Sequence, residues 1–172
     1  MGRKPSIDKA SLLDAAEHII RTRGAGALSF DAIAKAAKVS KGGVQSAFGT
    51  KEALLTALYE HLDSGYEARF NAAKSAGASS VAAYVDAVTT ADTAVNQRIG
   101  TMSLAMSQEP ESREYLRKWY AESFPDLSAA TPEGQQEILR LCALEGALML
   151  RSMNLLPLHE EAWSQLFTQL RS

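Results

Sequence analysis

Apolar positions recur at three- and four-residue intervals along almost the whole chain, and runs of strict alternation are nearly absent. That pattern predicts an all-α protein of about nine helices. Leu12, Leu13, Ala16, Ile19 and Ile20 form a first stripe, which stops at Gly24. Ser29 is placed to cap a second helix with Phe30, Ile33, Ala34 and Ala37 on one face. Ser40 caps a short third helix that ends near Phe48-Gly49, and Thr50 caps a fourth with Glu52 in its first turn, where the helix dipole favours an acid. The stripe Leu54, Leu55, Leu58 and Leu62 carries that fourth helix to about Lys74, a length of roughly 35 Å. After the small-residue connector Ser75–Ser80, further helices are expected at about 80–93, 96–108 and 111–124, the last two stopped by Pro110 and Pro125. Thr131-Pro132-Glu133 opens a long helix reaching about Asn154. Beyond Pro157 comes a last helix carrying Leu158, Ala162, Trp163, Leu166, Phe167 and Leu170 on one side.

Within this pattern one stretch conflicts with its own helix. Residues 38–55 read KVSKGGVQSAFGTKEALL, and Gly42-Gly43 falls inside the third helix. Each glycine costs roughly 1 kcal/mol there relative to alanine, so the pair answers a need other than helix stability. Three short helices in the first 50 residues, with a tight break at 38–40, describe a helix-turn-helix unit. Its supporting helix is 29–37 and its recognition helix about 40–47. Val39, Val44 and Phe48 supply the face that packs on Ile33 and Leu12. Ser40 and the amides after it aim a helix N-terminus at phosphate. Lys41 and Lys51 add charges that displace counterions, and Gly42 and Gly43 let the main chain come close to the backbone or groove edge. Ser46 is short enough to bond phosphate or base. Gln45 has two readings, a bidentate pairing with adenine or a solvated side chain. Arg3 and Lys4, ahead of the first helix, are either an arm on phosphate or in the minor groove or a basic tail without ordered contact.

The charge distribution agrees with a polyanion at that end. Residues 1–51 hold nine Lys/Arg against four Asp/Glu, and residues 52–172 hold nine against sixteen, within a net charge of −2 over 172 residues. A basic head on an acidic body expects only the head to meet nucleic acid. The single Cys142 excludes a disulfide framework and any cysteine-based zinc site; it reads as a buried small hydrophobe, with a redox sensor as the alternative, and fits a reducing cytoplasm. No signal-peptide pattern and no apolar run near 20 residues occurs, so no membrane partner is expected. His18, His61 and His159 lack acidic or Cys/His neighbours at ligand spacing, and no nucleophile or phosphate-loop motif is present. The sequence therefore predicts no enzyme, no metal and no cofactor.

Leu12-Leu13-Asp14-Ala15-Ala16, Arg23-Gly24, Ile33-Ala34-Lys35-Ala36-Ala37, Val39-Ser40-Lys41-Gly42, Phe48 and Lys51-Glu52-Ala53-Leu54-Leu55 together resemble the tetracycline-repressor family of bacterial regulators. The family's pattern is close to A-G-V-S-x-G-T-L-Y-x-H-F-x-S-K-E-x-L, and the likeness covers about residues 10 to 59. It implies a DNA-binding domain over 1–50 and a helical ligand-binding and dimerisation domain over 51–172, with a helix at 51–74 linking them. It also implies that Ser29 touches phosphate while it caps its helix. The family usually carries tyrosine, a phosphate contact, at the position of Gln45, and often histidine at that of Ala47. One anchoring contact is therefore missing or replaced.

The body carries two further signals. Ile138 to Met153 is apolar all round, as expected of a helix buried on two sides. Ala143, Gly146, Ala147 and Leu150 with Trp163, Leu166, Phe167 and Leu170 are the expected dimer face, two helices from each copy forming the four-helix interface that the resemblance implies, with a buried core helix in a monomer as the alternative. Met102, Met106, Trp119, Tyr120, Phe124, Met149 and Met153 are candidates to line a ligand cavity, with core packing as the alternative for each. Glu145 needs a partner in so apolar a helix: an arginine such as Arg98 or Arg151, or a polar handle on a ligand. The whole reading is a homodimeric regulator that leaves a palindromic DNA operator when a small-molecule effector binds. Its rival is a helical binding protein with little DNA affinity.

Overall fold

The computed structural model describes residues 8–171 and carries ten α-helices, with no strand among those residues. They are α1 (Lys9–Arg23), α2 (Phe30–Ala36), α3 (Lys41–Phe48), α4 (Lys51–Leu62), α5 (Tyr66–Ser75), α6 (Ser80–Thr89), α7 (Thr93–Ser107), α8 (Pro110–Ser123), α9 (Pro132–Ser152) and α10 (Glu160–Arg171). Arg3 and Lys4 lie outside the described residues. Two compact units form, one from the chain up to Leu62 with Met102–Leu116, the other from Asp63–Thr101 with the chain from Arg117 on. None of the described helices is long and apolar enough to cross a membrane.

In the first unit the predicted caps are all made. The Ser29 hydroxyl accepts from the Ala32 amide, that of Ser40 from Gly43 and that of Thr50 from Ala53, each at 3.1 Å. Each satisfies an amide that the first helical turn leaves without a partner. The stripes of α1 to α4 then meet: Leu12, Ile33, Val44, Leu54, Leu55 and Leu58 are fully buried. Truncating one of these leucines to alanine costs on the order of 2–5 kcal/mol. Met102 and Met106 are buried in this unit too, and the Tyr59 hydroxyl lies 2.9 Å from Ser103 Oγ and 3.6 Å from the Met106 sulfur.

The single helix expected over 51–74 is two helices, and this break raises the number from nine to ten. Asp63 causes it. Its carboxylate accepts from the Gly65 amide at 3.1 Å and also holds the Arg69 guanidinium, so it offers the backbone an alternative to the helical ladder. Elsewhere the helix ends shift by a few residues; α7, for instance, begins at Thr93 because Asp92 accepts from the Ala94 amide at 2.7 Å.

The second unit begins with the hairpin of α5 and α6, turned at Gly77 with φ +91°. Its core joins Val81, Tyr84, Val85 and Val88 of α6 to Phe124, to Leu144 and Ala147 of α9, and to Trp163 and Phe167 of α10. Three residues expected at a dimer face, Ala147, Trp163 and Phe167, are thus buried within the chain itself. The large side of α10 turns inward because its two aromatics stack on each other, centroids 6.0 Å apart, beneath the guanidinium of Arg151.

Candidate functional site

Helix α3, where a recognition helix is expected, presents two faces. Val44 and Phe48 are buried, and Phe48 also receives the Lys9 ammonium 5.8 Å from its ring centroid. Lys41, Gly42, Gln45 and Ser46 are exposed on the opposite side, where one-turn spacing pairs Lys41 with Gln45 and Gly42 with Ser46. Gly43 is half-buried. A side-chain carbon added to Gly42 would meet nothing within 4 Å. No packing inside the molecule therefore requires a glycine at Gly42.

The Gln45 amide donates to the Gly49 carbonyl at 2.5 Å, folding the side chain along the end of its own helix. Gly49, at φ +73°, ends α3. The turn before α3 holds a feature that sequence reasoning missed. Lys38 is exposed and left-handed, with φ 56°, and the Val39 amide donates to the Ala34 carbonyl at 2.9 Å. The family pattern puts glycine there, and that departure is the signal that would have found it. Lys35 of α2 is exposed and paired with Asp31 at 2.6 Å, and Ser29 is exposed as it caps. Lys51 faces two acids at once: its ammonium lies 3.3 Å from Glu109 and 3.0 Å from Glu111.

The residues expected to line a cavity are divided between the two units. Trp119, Tyr120, Phe124 and Glu145 belong to one cluster in the second unit, whereas Met102 and Met106 are buried in the first. Met149 and Met153 are exposed by 45% and 46%. The cluster gains Tyr66, Phe70 and Tyr84, whose rings contact it at centroid distances of 5.4 to 6.1 Å. Glu145 accepts the Tyr84 hydroxyl at 2.9 Å, its one hydrogen-bond partner among the described residues. Arg151 is committed elsewhere, to Thr93 at 3.0 Å and to Glu160. Burial first, and then the Glu145 charge, push the Tyr66 and Tyr84 hydroxyls well above the usual phenol range, so both stay neutral donors. The Tyr66 hydroxyl is buried without a hydrogen-bond partner among the described residues. An open recess of about 360 Å³ in this unit is lined by Val85 and Phe167 of the core and by Asp86, Thr93, Arg151, Glu160 and Arg171, whose charges are already paired.

On α9 the side turned away from the core carries Leu139, Cys142, Ala143 and Met149, all exposed, with half-buried Gly146 among them. Cys142 is therefore not the buried residue that the sequence suggests. Nothing lies within 4 Å of where a Gly146 side chain would begin. Leu150, Leu166 and Leu170 are half-buried against the core cluster.

Comparison with known proteins agrees with both parts of this description. Residues 12–58 match the family model for bacterial regulatory proteins of the tetR family, and residues 78–172 match that for the tetracyclin repressor-like C-terminal domain. No curated protein matches the chain. Among solved structures it is similar to the multidrug binding protein EbrR complexed with imidazole, at 23% identity over 95% of both chains with a TM-score of 0.58. It is also similar to a protein described as a TetR-family transcriptional regulator from Rhodococcus sp., at 16% identity over 96% of this chain and 100% of that one, with a TM-score of 0.61. With a helix-turn-helix head and a helical body that each carry the family's own match, the chain belongs to the tetracycline-repressor family of DNA-binding transcriptional regulators.

Proposed function

We propose that the chain is a homodimeric repressor that leaves a palindromic operator when a small amphipathic ligand binds its body. One observation carries the DNA-binding part: the exposed Lys41-Gly42-Gln45-Ser46 face, where a glycine is kept with open space around it. A bare main chain beside a lysine and a helix N-terminus suits a phosphate backbone at close range. Gln45, released from Gly49, is the side chain of this face able to pair bidentately with a base.

The outward stripe of α9, small at Ala143 and Gly146 and apolar at Leu139 and Met149, supports pairing with a second copy. Two heads roughly 35 Å apart then reach successive major grooves. In the body, an aromatic cluster that holds one carboxylate and one unpartnered hydroxyl favours a ligand with a flat apolar part and a donor or cationic group toward Glu145. Such a ligand acts by binding better to the form whose heads are mis-spaced for DNA. Repression, rather than activation, follows the family's habit.

Selection of bound fragments from the organism's genomic DNA tests this reading. Enrichment of one palindrome is expected. Recovery no better than from a scrambled control overturns it in favour of a helical binding protein without DNA affinity.

A further inference from the structure

Lys51 opens α4 at the edge of the helix-turn-helix head, where a phosphate contact is expected, yet its ammonium is already engaged. Its Nζ lies 3.3 Å from Glu109 Oε2 and 3.0 Å from Glu111 Oε2. Both acids come from the α7–α8 turn and the start of α8, and all three residues belong to the first unit. Glu109 is held there by its own helix. Its Oε2 also accepts the Ser112 amide at 2.8 Å and the Ser112 hydroxyl at 2.9 Å, and its side chain is only 19% exposed. The Ser112 amide, the Ser112 hydroxyl and then Lys51 hold its carboxyl down to about 2, so it is an anion at any physiological pH. Glu111 lies in the first turn of α8, where the helix dipole favours a carboxylate, and its side chain is 74% exposed. Glu109 thus stays in place with or without Lys51, and Glu111 adds a second negative charge beside it. Two negative charges surround one positive charge, and a phosphate approaching the start of α4 has to displace one carboxylate beside the other.

We infer that Glu109 and Glu111 compete with DNA phosphate for Lys51 and so hold DNA affinity below what the head alone would reach. The inference rests on the DNA-binding reading above. It follows that Lys51 adds no phosphate contact while both acids hold it, and that removing one of them lets phosphate take its place. Each phosphate neutralised on a duplex contributes about 0.9 to the salt dependence of binding, which makes the exchange measurable. Glu111 is the residue to change, because it is exposed and caps nothing, whereas removing Glu109 would also remove a helix cap.

The experiment uses the full chain and a labelled duplex of about 30 base pairs, titrated between about 50 and 200 mM salt. Glu111→Gln is expected to bind roughly 3- to 10-fold tighter and to steepen the slope of log K against log salt by about one. Lys51→Gln alone is expected to change the slope by much less than one. In the Lys51→Gln background, Glu111→Gln should gain nothing. Unchanged affinity in Glu111→Gln overturns the inference. A gain that persists without Lys51 also overturns it, since that is simple repulsion of DNA by an acid. A full unit of slope lost in Lys51→Gln overturns it as well, since Lys51 would already be on phosphate. If wild type binds and Glu111→Gln merely equals it, this inference alone falls; if neither binds any duplex, the DNA-binding reading falls with it.

Discussion

The Tyr84 hydroxyl donates to the Glu145 carboxylate across 2.9 Å, joining α6 to α9 through residues 61 positions apart. A phenol, rather than the arginine that the sequence suggests, answers this carboxylate. It supplies a hydrogen bond and no charge. Tyr84→Phe is expected to lower stability by about 1–3 kcal/mol, because a partly buried acceptor loses its donor. Glu145→Gln keeps an oxygen that accepts the same bond and should cost less. Urea denaturation of both variants checks the order, and the reverse order would remove the hydrogen bond from the account of this site.

Gly42 separates stability from function. Gly42→Ala should stabilise the protein by up to about 1 kcal/mol, since nothing obstructs the new methyl group and alanine is the better helix former. The same variant should bind DNA more weakly, because the methyl group stands where the backbone comes close. Thermal melting and duplex titration of one preparation read both effects. Unchanged or tighter DNA binding would sink the close-approach reading of α3.

Lys38 holds a conformation that costs an L-residue about 1–2 kcal/mol. Lys38→Gly should therefore raise the midpoint of urea unfolding by an amount worth about 1 kcal/mol, with the slope unchanged. A lower midpoint would mean that the lysine side chain makes up for the strain in the folded protein.

Ala143 tests the pairing face of α9. It is exposed, so Ala143→Glu leaves the chain's own core intact. Two added carboxylates facing each other across a two-fold axis would be costly to bury. Sedimentation should show a dimer for wild type and a monomer for the variant, with little change in helix content. A variant that stays dimeric would place the interface elsewhere.

Glu109 predicts an acid dependence. Its carboxyl titrates near 2 in the folded protein against an ordinary 4.5, so its contribution is complete above 4.5 and disappears as pH falls through about 2. The stability difference between wild type and Glu109→Gln should be constant from pH 7 to about 5 and shrink toward pH 2, over the range in which both stay folded. A difference that does not change with pH would mean that the effect is packing and not charge.

Much of this molecule depends on neighbours close along the chain. Helical stripes arise from residues three and four apart, and the caps at Ser29, Ser40, Thr50 and Thr131 each reach an amide three residues ahead. All ten helices but one division were therefore legible, as was the exposed face of α3. That division, at Asp63, had its local signal in Asp63-Ser64-Gly65, but the leucine stripe on one side hid it. What the sequence could not supply is which distant partners meet. Lys51 finds Glu109 and Glu111 at separations of 58 and 60, and the methionines expected around one ligand divide between a buried pair in the first unit and an exposed pair on and just beyond α9. Periodicity marks a side as apolar without saying whether it meets the chain's own core or another copy, and only the packing shows Ala147, Trp163 and Phe167 in the core. Local hydrogen bonding and side-chain spacing determined the helices; only the packing of one helix on another, which brings charges and rings together across some sixty residues, decided what each exposed or buried side chain is there to do.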